Sequence, residues 1–340
     1  MNKKVSVIGA GSMGTAVSAL LAKNGHNVCM WSFLKEEVEM INTFREQKEK
    51  LPGVILPETV KCTNNLAESL KDAELVVFVI PSQTIRNNAR EIAKLVKGNE
   101  VFACFSKGLE EGTGKRMTQV ITEEIDGAIA VAMSGPCHAE ELGKGVPSAY
   151  VAACNDIKYA QYCQDMFMSK GFRIYTNPDL IGVELGGAVK NVIALCAGIS
   201  DGLGYGDNTK AALMTRGLTE MTRLGVALGA QKQTFAGLAG IGDLIVTCTS
   251  MHSRNRRAGI LIGQGKSLKD TLAEVKMVVE GVTTTKATYE LAKAMNISMP
   301  ITTEAYKILF EGKNARNAVT DLMMREKKHE IEEVFESPLW

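Results

Sequence analysis

The run KVSVIGAGSMGTAVSALLAK, residues 4–23, places Gly9, Gly11 and Gly14 between an apolar strand and an apolar helix. At such a junction each glycine of a GxGxxG spacing has a physical task. The first turns the chain tightly, the second lets the backbone approach a pyrophosphate, and the third lets the helix lie close on the strand. The unpaired amides and positive end of the helix that begins near Ser12 favour the same phosphates. A second strand, NVCMW at 27–31, follows Gly25, so the chain opens as a β-α-β unit. A glycine turn with no ligand is the competing reading; the position at the start of this unit favours a dinucleotide.

Near-continuous apolar runs follow at 74–80 (ELVVFVI), 100–105 (EVFACF) and 128–135 (AIAVAMSG). They read as interior parallel strands covered on both faces by helices such as 83–96. SAYVAAC at 148–154, a helical YAQYCQDMFM and the strand FRIYT extend the sheet. After Gly186 the texture changes to helical runs at 188–199, 208–228, 254–263, 270–277, 282–295, 302–311 and 314–324. The expected fold is α/β: an N-terminal doubly wound Rossmann-type parallel sheet with a C-terminal all-helical domain. The expected division is a dinucleotide-binding domain over 1–185, a helical substrate-binding and catalytic domain over 186–330, and a tail over 331–340, with the charge run REKKHEIEE as a solvated end.

A formal net charge of +1, with 45% hydrophobic and 23% charged residues, gives no field that would draw nucleic acid or a membrane surface, so neither is expected as a partner. The eight cysteines are scattered without a CxxC pair, which suits thiols in a reducing compartment. The four histidines form no ligand cluster with them, and no metal is expected. No signal peptide is visible and no stretch reads as apolar for the roughly 20 residues that a spanning helix needs, so the expected location is cytoplasmic.

Three segments carry polar groups that need chemical explanation. FSKGLE puts Lys107 just past the carboxyl end of a strand, where doubly wound proteins bind ligands; a surface lysine is the bland alternative. SGPCHAEE starts past another strand, so Gly135 and Pro136 can bend the backbone over a cofactor while Cys137 and Ala139 offer close contacts. GGAVKNVIAL sets Lys190 in an apolar helical run. There a lysine either snorkels out of a core helix or, held partly dry with its pKa lowered, exchanges the proton that accompanies hydride transfer to a carbonyl.

LAGIGDLIVTCTSMHSRNRRAG, residues 238–259, then supplies Asp243 to orient Lys190 and Thr247, four residues on, to bond the same network. Either could equally be a helix cap or a core hydroxyl. Ser253, Arg254 and Asn255 suit a phosphate at a helix start, while Arg256 and Arg257 read as surface charge. At the end of the second strand, where an NAD-selective site places an acid, stand Trp31, Ser32, Phe33 and Leu34. The missing acid and the nearby Lys35 favour NADP modestly, with use of both NADPH and NADH open.

Taken together, VIGAGSMG, FVIPSQ, FSKGLE, SGPCHAEE, GGAVKNVIALCAGISDGLGYGDNTKAALMTRGLTEMTRLG, TFAGLAGIGDLIVTCTSMHSRNRRAG, VVEGVTTTKA and MPIT resemble the bacterial NAD(P)-dependent glycerol-3-phosphate dehydrogenase family over residues 4–320. The resemblance implies reversible reduction of dihydroxyacetone phosphate to sn-glycerol 3-phosphate for glycerophospholipid synthesis, in a homodimer. It implies Lys190 as proton donor and acceptor, with Lys107, Asp243 and Thr247 around the reacting oxygens. It implies Gly135, Cys137, Ser253, Arg254 and Asn255 as substrate contacts, and Ser12, Met13, Phe33, Lys107, Ala139, Arg254, Val278 and Glu280 as cofactor contacts beside the glycines. Cys137 stands where the family commonly has Ser or Thr, and His138, where a hydrophobic residue is usual, is a competing acid-base candidate. A related β-hydroxyacid or sugar-acid dehydrogenase, or a non-catalytic dinucleotide sensor, are the alternatives.

Overall fold

The structure is a computed structural model and describes residues 2–327, 329 and 330. The tail expected over 331–340 lies outside the described residues. Strands and helices alternate through the first half: β1 (Lys4–Ile8), α1 (Ser12–Lys23), β2 (Asn27–Trp31), α2 (Lys35–Phe44), β3 (Lys61–Thr63), α3 (Leu66–Leu70), β4 (Leu75–Phe78), α4 (Ile85–Ala93), β5 (Val101–Cys104), α5 (Met117–Glu124), β6 (Ile129–Ser134), α6 (Ala139–Lys144), β7 (Ser148–Ala153), α7 (Ile157–Phe167) and β8 (Phe172–Asn177). They form one eight-stranded sheet in the order β3-β2-β1-β4-β5-β6-β7-β8. The strand order reverses beside β1, so the carboxyl ends of β1 and β4 flank the crevice where doubly wound sheets bind ligands.

The period of two along each strand sorts its side chains between two cores. Val5 and Val7 of β1 and Val77 of β4 enter one apolar layer, and Ile8, Val76 and Phe78 enter the other. Helices on both faces cover the two layers, which is why these strands lack polar alternation. The pairing of β6 with β7 is antiparallel, whereas β7 and β8 are parallel to each other. The strands read from the apolar runs are parallel as expected, and the strands that extend the sheet, β7 and β8, run against the rest.

The second half is helical: α8 (Leu180–Gly202), α9 (Asp207–Ala227), α10 (Lys232–Phe235), α11 (Asp243–Thr249), α12 (Arg254–Gly263), α13 (Leu268–Val275), α14 (Glu280–Ala294), α15 (Pro300–Phe310) and α16 (Ala315–Met323), with a π-helical turn over Leu238–Gly242 leading into α11. Asp179 starts α8 by accepting from Gly182 N at 2.9 Å, and it ties that start to α10 by accepting from Thr234 Oγ1 at 2.6 Å. The boundary read at 185/186 falls inside α8, which runs unbroken through it. This helix also corrects the reading that no stretch is apolar enough to span a membrane. Its best window has mean hydropathy 1.6, yet 78% of that window is buried within the protein. It is the axis of the helical half, with α9, α11, α12 and α14 packed around it.

Candidate active site

The glycine turn is built as a cradle. Gly9 has φ +119°, and a Cβ there would stand 2.5 Å from the Val79 carbonyl oxygen. A Cβ on Gly14 would stand 2.0 Å from the Gly9 carbonyl oxygen, so α1 can lie on β1 only with glycine at that position. At Gly11 the opposite holds: no described atom lies within 4 Å of where a Cβ would be. Two glycines are thus required by packing and the third leaves open space at the start of α1, the arrangement a pyrophosphate needs. The residues present fit a dinucleotide.

Across the crevice, two lysines converge on one carboxylate. Lys190 Nζ donates to Asp243 Oδ1 at 2.5 Å and to Thr247 Oγ1 at 2.6 Å. Lys107 Nζ, from beyond the end of β5, donates to Asp243 Oδ2 at 2.6 Å and to the Gly135 carbonyl at 3.0 Å. Asp243 is 1% exposed and Lys190 6%, so these are charges held out of water. Thr247 lies one turn along α11 from Asp243 and donates back to its carbonyl at 2.6 Å. Helix α11 therefore presents both groups on one face, and α8 brings Lys190 to them.

The shared carboxylate splits the two amines. Burial lowers the Lys190 pKa to about 8; Asp243 opposes that shift and the charge of Lys107 adds to it. Burial acts on Lys107 as well, but Asp243 and then Tyr150, whose ring lies 5.0 Å from Nζ, outweigh it and hold Lys107 above the ordinary lysine range. With two cations on one anion, the second proton is the easier to lose, and it belongs to the drier amine. Lys190 can exchange a proton near neutrality while Lys107 keeps its charge.

The start of α12 is set by a helix contact. On α8, a Cβ at Gly198 would stand 2.1 Å from the Arg256 carbonyl oxygen; on α12, a Cβ at Gly259 would stand 2.1 Å from that of Leu195. Gly202 and Gly263 repeat the arrangement one turn on, so the helices touch backbone to backbone. This fixes the start of α12, with Arg254, beside the Lys190 helix. The expected phosphate group of three divides its tasks. Ser253 caps α12 by accepting from Arg256 N at 3.2 Å, and Asn255 donates to Asn191 Oδ1 at 2.9 Å while accepting from Gly281 N at 2.8 Å. Arg256, read as surface charge, is instead paired with Asp201 at 2.8 Å.

The remaining expected positions spread around the crevice. Ser12 Oγ donates to the Lys50 carbonyl at 2.6 Å, Met13 packs against the first core, and Ala139 is buried at the start of α6. Phe33 is 74% exposed and Lys35 is exposed, the first just past β2 and the second opening α2. Val278 is exposed, and Glu280, at the start of α14, accepts from Ser82 N at 2.9 Å, so it joins the helical half to the loop after β4. Gly135 has φ +146° and serves through its carbonyl on Lys107. Burial pushes the Cys137 thiol up to about 12, and its Sγ points to the His138 carbonyl at 3.7 Å, an uncharged contact.

The missing acid at the end of β2 is corrected by the fold. Glu37, in the first turn of α2, returns its carboxylate to Ser32 Oγ at 2.5 Å, where Lys50 pairs with it and Gln47 donates at 3.4 Å. Gln47 also donates to the Ala10 carbonyl of the glycine turn at 3.1 Å. Sequence reasoning missed Glu37, Gln47, Lys50, Ser82 and Asn191. The linear signal that could have found Glu37 is an acid five residues past Ser32. Among the described residues no group of three or more His, Cys, Asp or Glu is placed to hold a metal ion.

Family models described as the N-terminus and C-terminus of NAD-dependent glycerol-3-phosphate dehydrogenase match residues 4–160 and 179–320. The chain belongs to the NAD-dependent glycerol-3-phosphate dehydrogenase family. Among its relatives, the glycerol-3-phosphate dehydrogenase [NAD(P)+] of Desulfitobacterium hafniense is 54% identical over 97% of this chain and 94% of that protein. That of Fusobacterium nucleatum is 52% identical over 97% and 99%. The crystal structure of glycerol-3-phosphate dehydrogenase from Coxiella burnetii superposes with a TM-score of 0.92 at 35% identity, covering 95% of this chain and 99% of that one. The family's Rossmann-type sheet and helical half are those described above.

Proposed function

We propose that the protein reversibly reduces dihydroxyacetone phosphate to sn-glycerol 3-phosphate with NADPH or NADH, supplying glycerophospholipid synthesis. The observation that carries this reading is the convergence of Lys190 and Lys107 on Asp243, in the same helical body that presents Arg254 at a helix start. A nicotinamide cofactor held along the Gly9, Gly11 and Gly14 turn would supply the hydride for the carbonyl carbon. Lys190 delivers the proton to the carbonyl oxygen, so C=O becomes CH–OH and Lys190 regains its proton from solvent. Lys107, which keeps its charge, stabilises the negative charge developing on that oxygen. Asp243 holds both amines in place and Thr247 fixes the direction of Lys190.

Arg254 and the open amides at the start of α12 anchor the phosphate, and this remote anchor orients the reacting carbon. Ser253 and Asn255 support that anchor as cap and tie; Gly135 and Cys137 line the opposite wall. The glycine turn, Ser12, Met13, Phe33, Ala139, Val278 and Glu280 border the cofactor. NADPH is the favoured cofactor, because Lys50 neutralises Glu37 and Lys35 stands free in solvent beside Phe33. The protein works as a cytoplasmic homodimer without nucleic acid, a statement that light scattering on the purified chain checks for its oligomeric part.

The deciding experiment crosses NADPH and NADH with dihydroxyacetone phosphate, unphosphorylated dihydroxyacetone and several oxoacids in a spectrophotometric assay. Oxidation of the reduced cofactor with dihydroxyacetone phosphate alone is expected. Turnover of an oxoacid in its place would move the protein to a hydroxyacid dehydrogenase, and cofactor binding with no turnover would make it a sensor. In Arg254→Ala the preference for the phosphorylated ketone is expected to collapse; an unchanged preference removes Arg254 from the role.

A further inference from the structure

His138 stands at the start of α6 in the sheet half, and His252 lies in the turn before α12 in the helical half. Their ring centroids are 5.6 Å apart and the rings are tilted by 52°. The Nε2 of His138 is buried and has no hydrogen-bond partner among the described residues, an arrangement native proteins keep for groups that meet a ligand or water. His252 is exposed, and the residues after it are Ser253 and Arg254. The pair therefore brings the two halves together two residues ahead of Arg254.

The groups that face His138 come from every neighbouring element: Lys190 from α8, Glu140 and Glu141 from α6, and His252 from the turn before α12. Glu140 also faces Arg254. Burial first, and Lys190 next, hold His138 below the ordinary histidine value, so without an anion it is neutral at neutral pH. An anion held beside Arg254 would act against that balance, because a nearby negative charge favours the charged imidazole.

We propose that His138 and His252 complete the anion site: a phosphate monoester at the start of α12 accepts a hydrogen bond from His138 Nε2, draws a proton onto that ring from solvent, and lies against His252. Its substrate rests on the function proposed above, while its chemistry does not. The proton stays on the imidazole and is released when the phosphate leaves. Phosphate affinity is therefore greatest below the free-state pKa of the ring and is lost as pH rises through the bound-state pKa, with proton uptake between the two.

With four histidines in the chain, carbon–proton correlation spectra of the ring Cε1–H groups follow each titration separately. The full-length protein saturated with NADP+ is titrated from about pH 5.5 to about pH 9 alone, with inorganic phosphate, and with dihydroxyacetone phosphate, which cannot turn over with the oxidised cofactor. The midpoint of His138 is expected to rise by about one unit or more with either ligand, while that of His26 stays put. In His138→Gln the KM for dihydroxyacetone phosphate is expected to rise about tenfold near pH 6.5 with a smaller change in kcat, and the gap closes in alkali. His252→Gln, at an exposed position, moves KM in the same direction. Midpoints that ignore both ligands, or variant KM profiles parallel to wild type, overturn the proposal. A midpoint shift with inorganic phosphate but no reduction of dihydroxyacetone phosphate refutes the function and leaves this site standing. Reduction without a shift does the reverse.

Discussion

The side-chain amide of Asn255 donates to that of Asn191 at 2.9 Å. Asn191 follows Lys190 on α8 and Asn255 follows Arg254 on α12, so one hydrogen bond joins the neighbours of the proposed proton-transfer residue and the proposed anion-binding one. The same Asn255 accepts from Gly281 N at 2.8 Å, which brings the start of α14 and its Glu280 into register. Substituting Asn255 leaves a buried Gly281 amide without its partner, a loss of about 1–3 kcal/mol. Asn255→Ala is expected to lower stability by that order in urea unfolding and to lower kcat/KM for dihydroxyacetone phosphate. Additive effects of Asn191→Ala and Asn255→Ala would show that the two amides do not act together.

Lys190→Ala should bind NADPH normally and lose kcat roughly a thousandfold. With the ammonium as the proposed acid for ketone reduction, that rate is expected to be full below the Lys190 pKa of about 8 and to fall as pH rises through it. Alcohol oxidation needs the neutral amine and rises over the same interval. A pH profile for reduction that stays flat across this interval assigns the proton to another group.

Gly259 and Gly11 separate packing from ligand binding. A Cβ at Gly259 would meet a backbone oxygen at 2.1 Å, so Gly259→Ala is expected to destabilise the protein by about 3 kcal/mol in urea. Gly11→Ala meets nothing within 4 Å and should leave the unfolding midpoint in place while raising the KM for NADPH about tenfold, by obstructing the pyrophosphate. Equal loss of stability in the two variants would contradict the division.

Lys50 controls the acid at the end of β2. Lys50→Ala exposes the carboxylate of Glu37 to an incoming cofactor, where it repels a 2′-phosphate and can accept from a ribose hydroxyl. The ratio of kcat/KM for NADPH over NADH is expected to fall about tenfold, a difference of about 1.4 kcal/mol. An unmoved ratio in Lys50→Ala would place the selection of cofactor elsewhere.

What was readable in the sequence is what periodicity and special backbone geometry report. The glycine turn, the apolar strands around β1 and β4, the helical second half and the lysine on α8 all follow from local pattern. β3 was not, because its three residues, KCT, are too short to carry a period. The reversal at β7 left no mark either, since strand direction depends on how the connection runs. Polar pairings were the least legible. Asp201 with Arg256, Glu37 with Lys50 and Ser82 with Glu280 join positions whose separation in the chain carries no information about contact. Ser253 and Asn255 were found as site residues, but their work as cap and tie needed the packed helices to become visible.

The backbone contact of α8 with α12 has a consequence for substrate length. Along Gly198 and Gly202 of α8 and Gly259 and Gly263 of α12 the two main chains are in direct touch, and this contact fixes how the Lys190 and Arg254 helices cross. On the proposed function it would act as a fixed gauge, measuring a ligand by whether its carbonyl and its anion reach both stations at once. Accepting a longer carbon chain would mean prying apart two helices, a far larger change than widening a pocket wall.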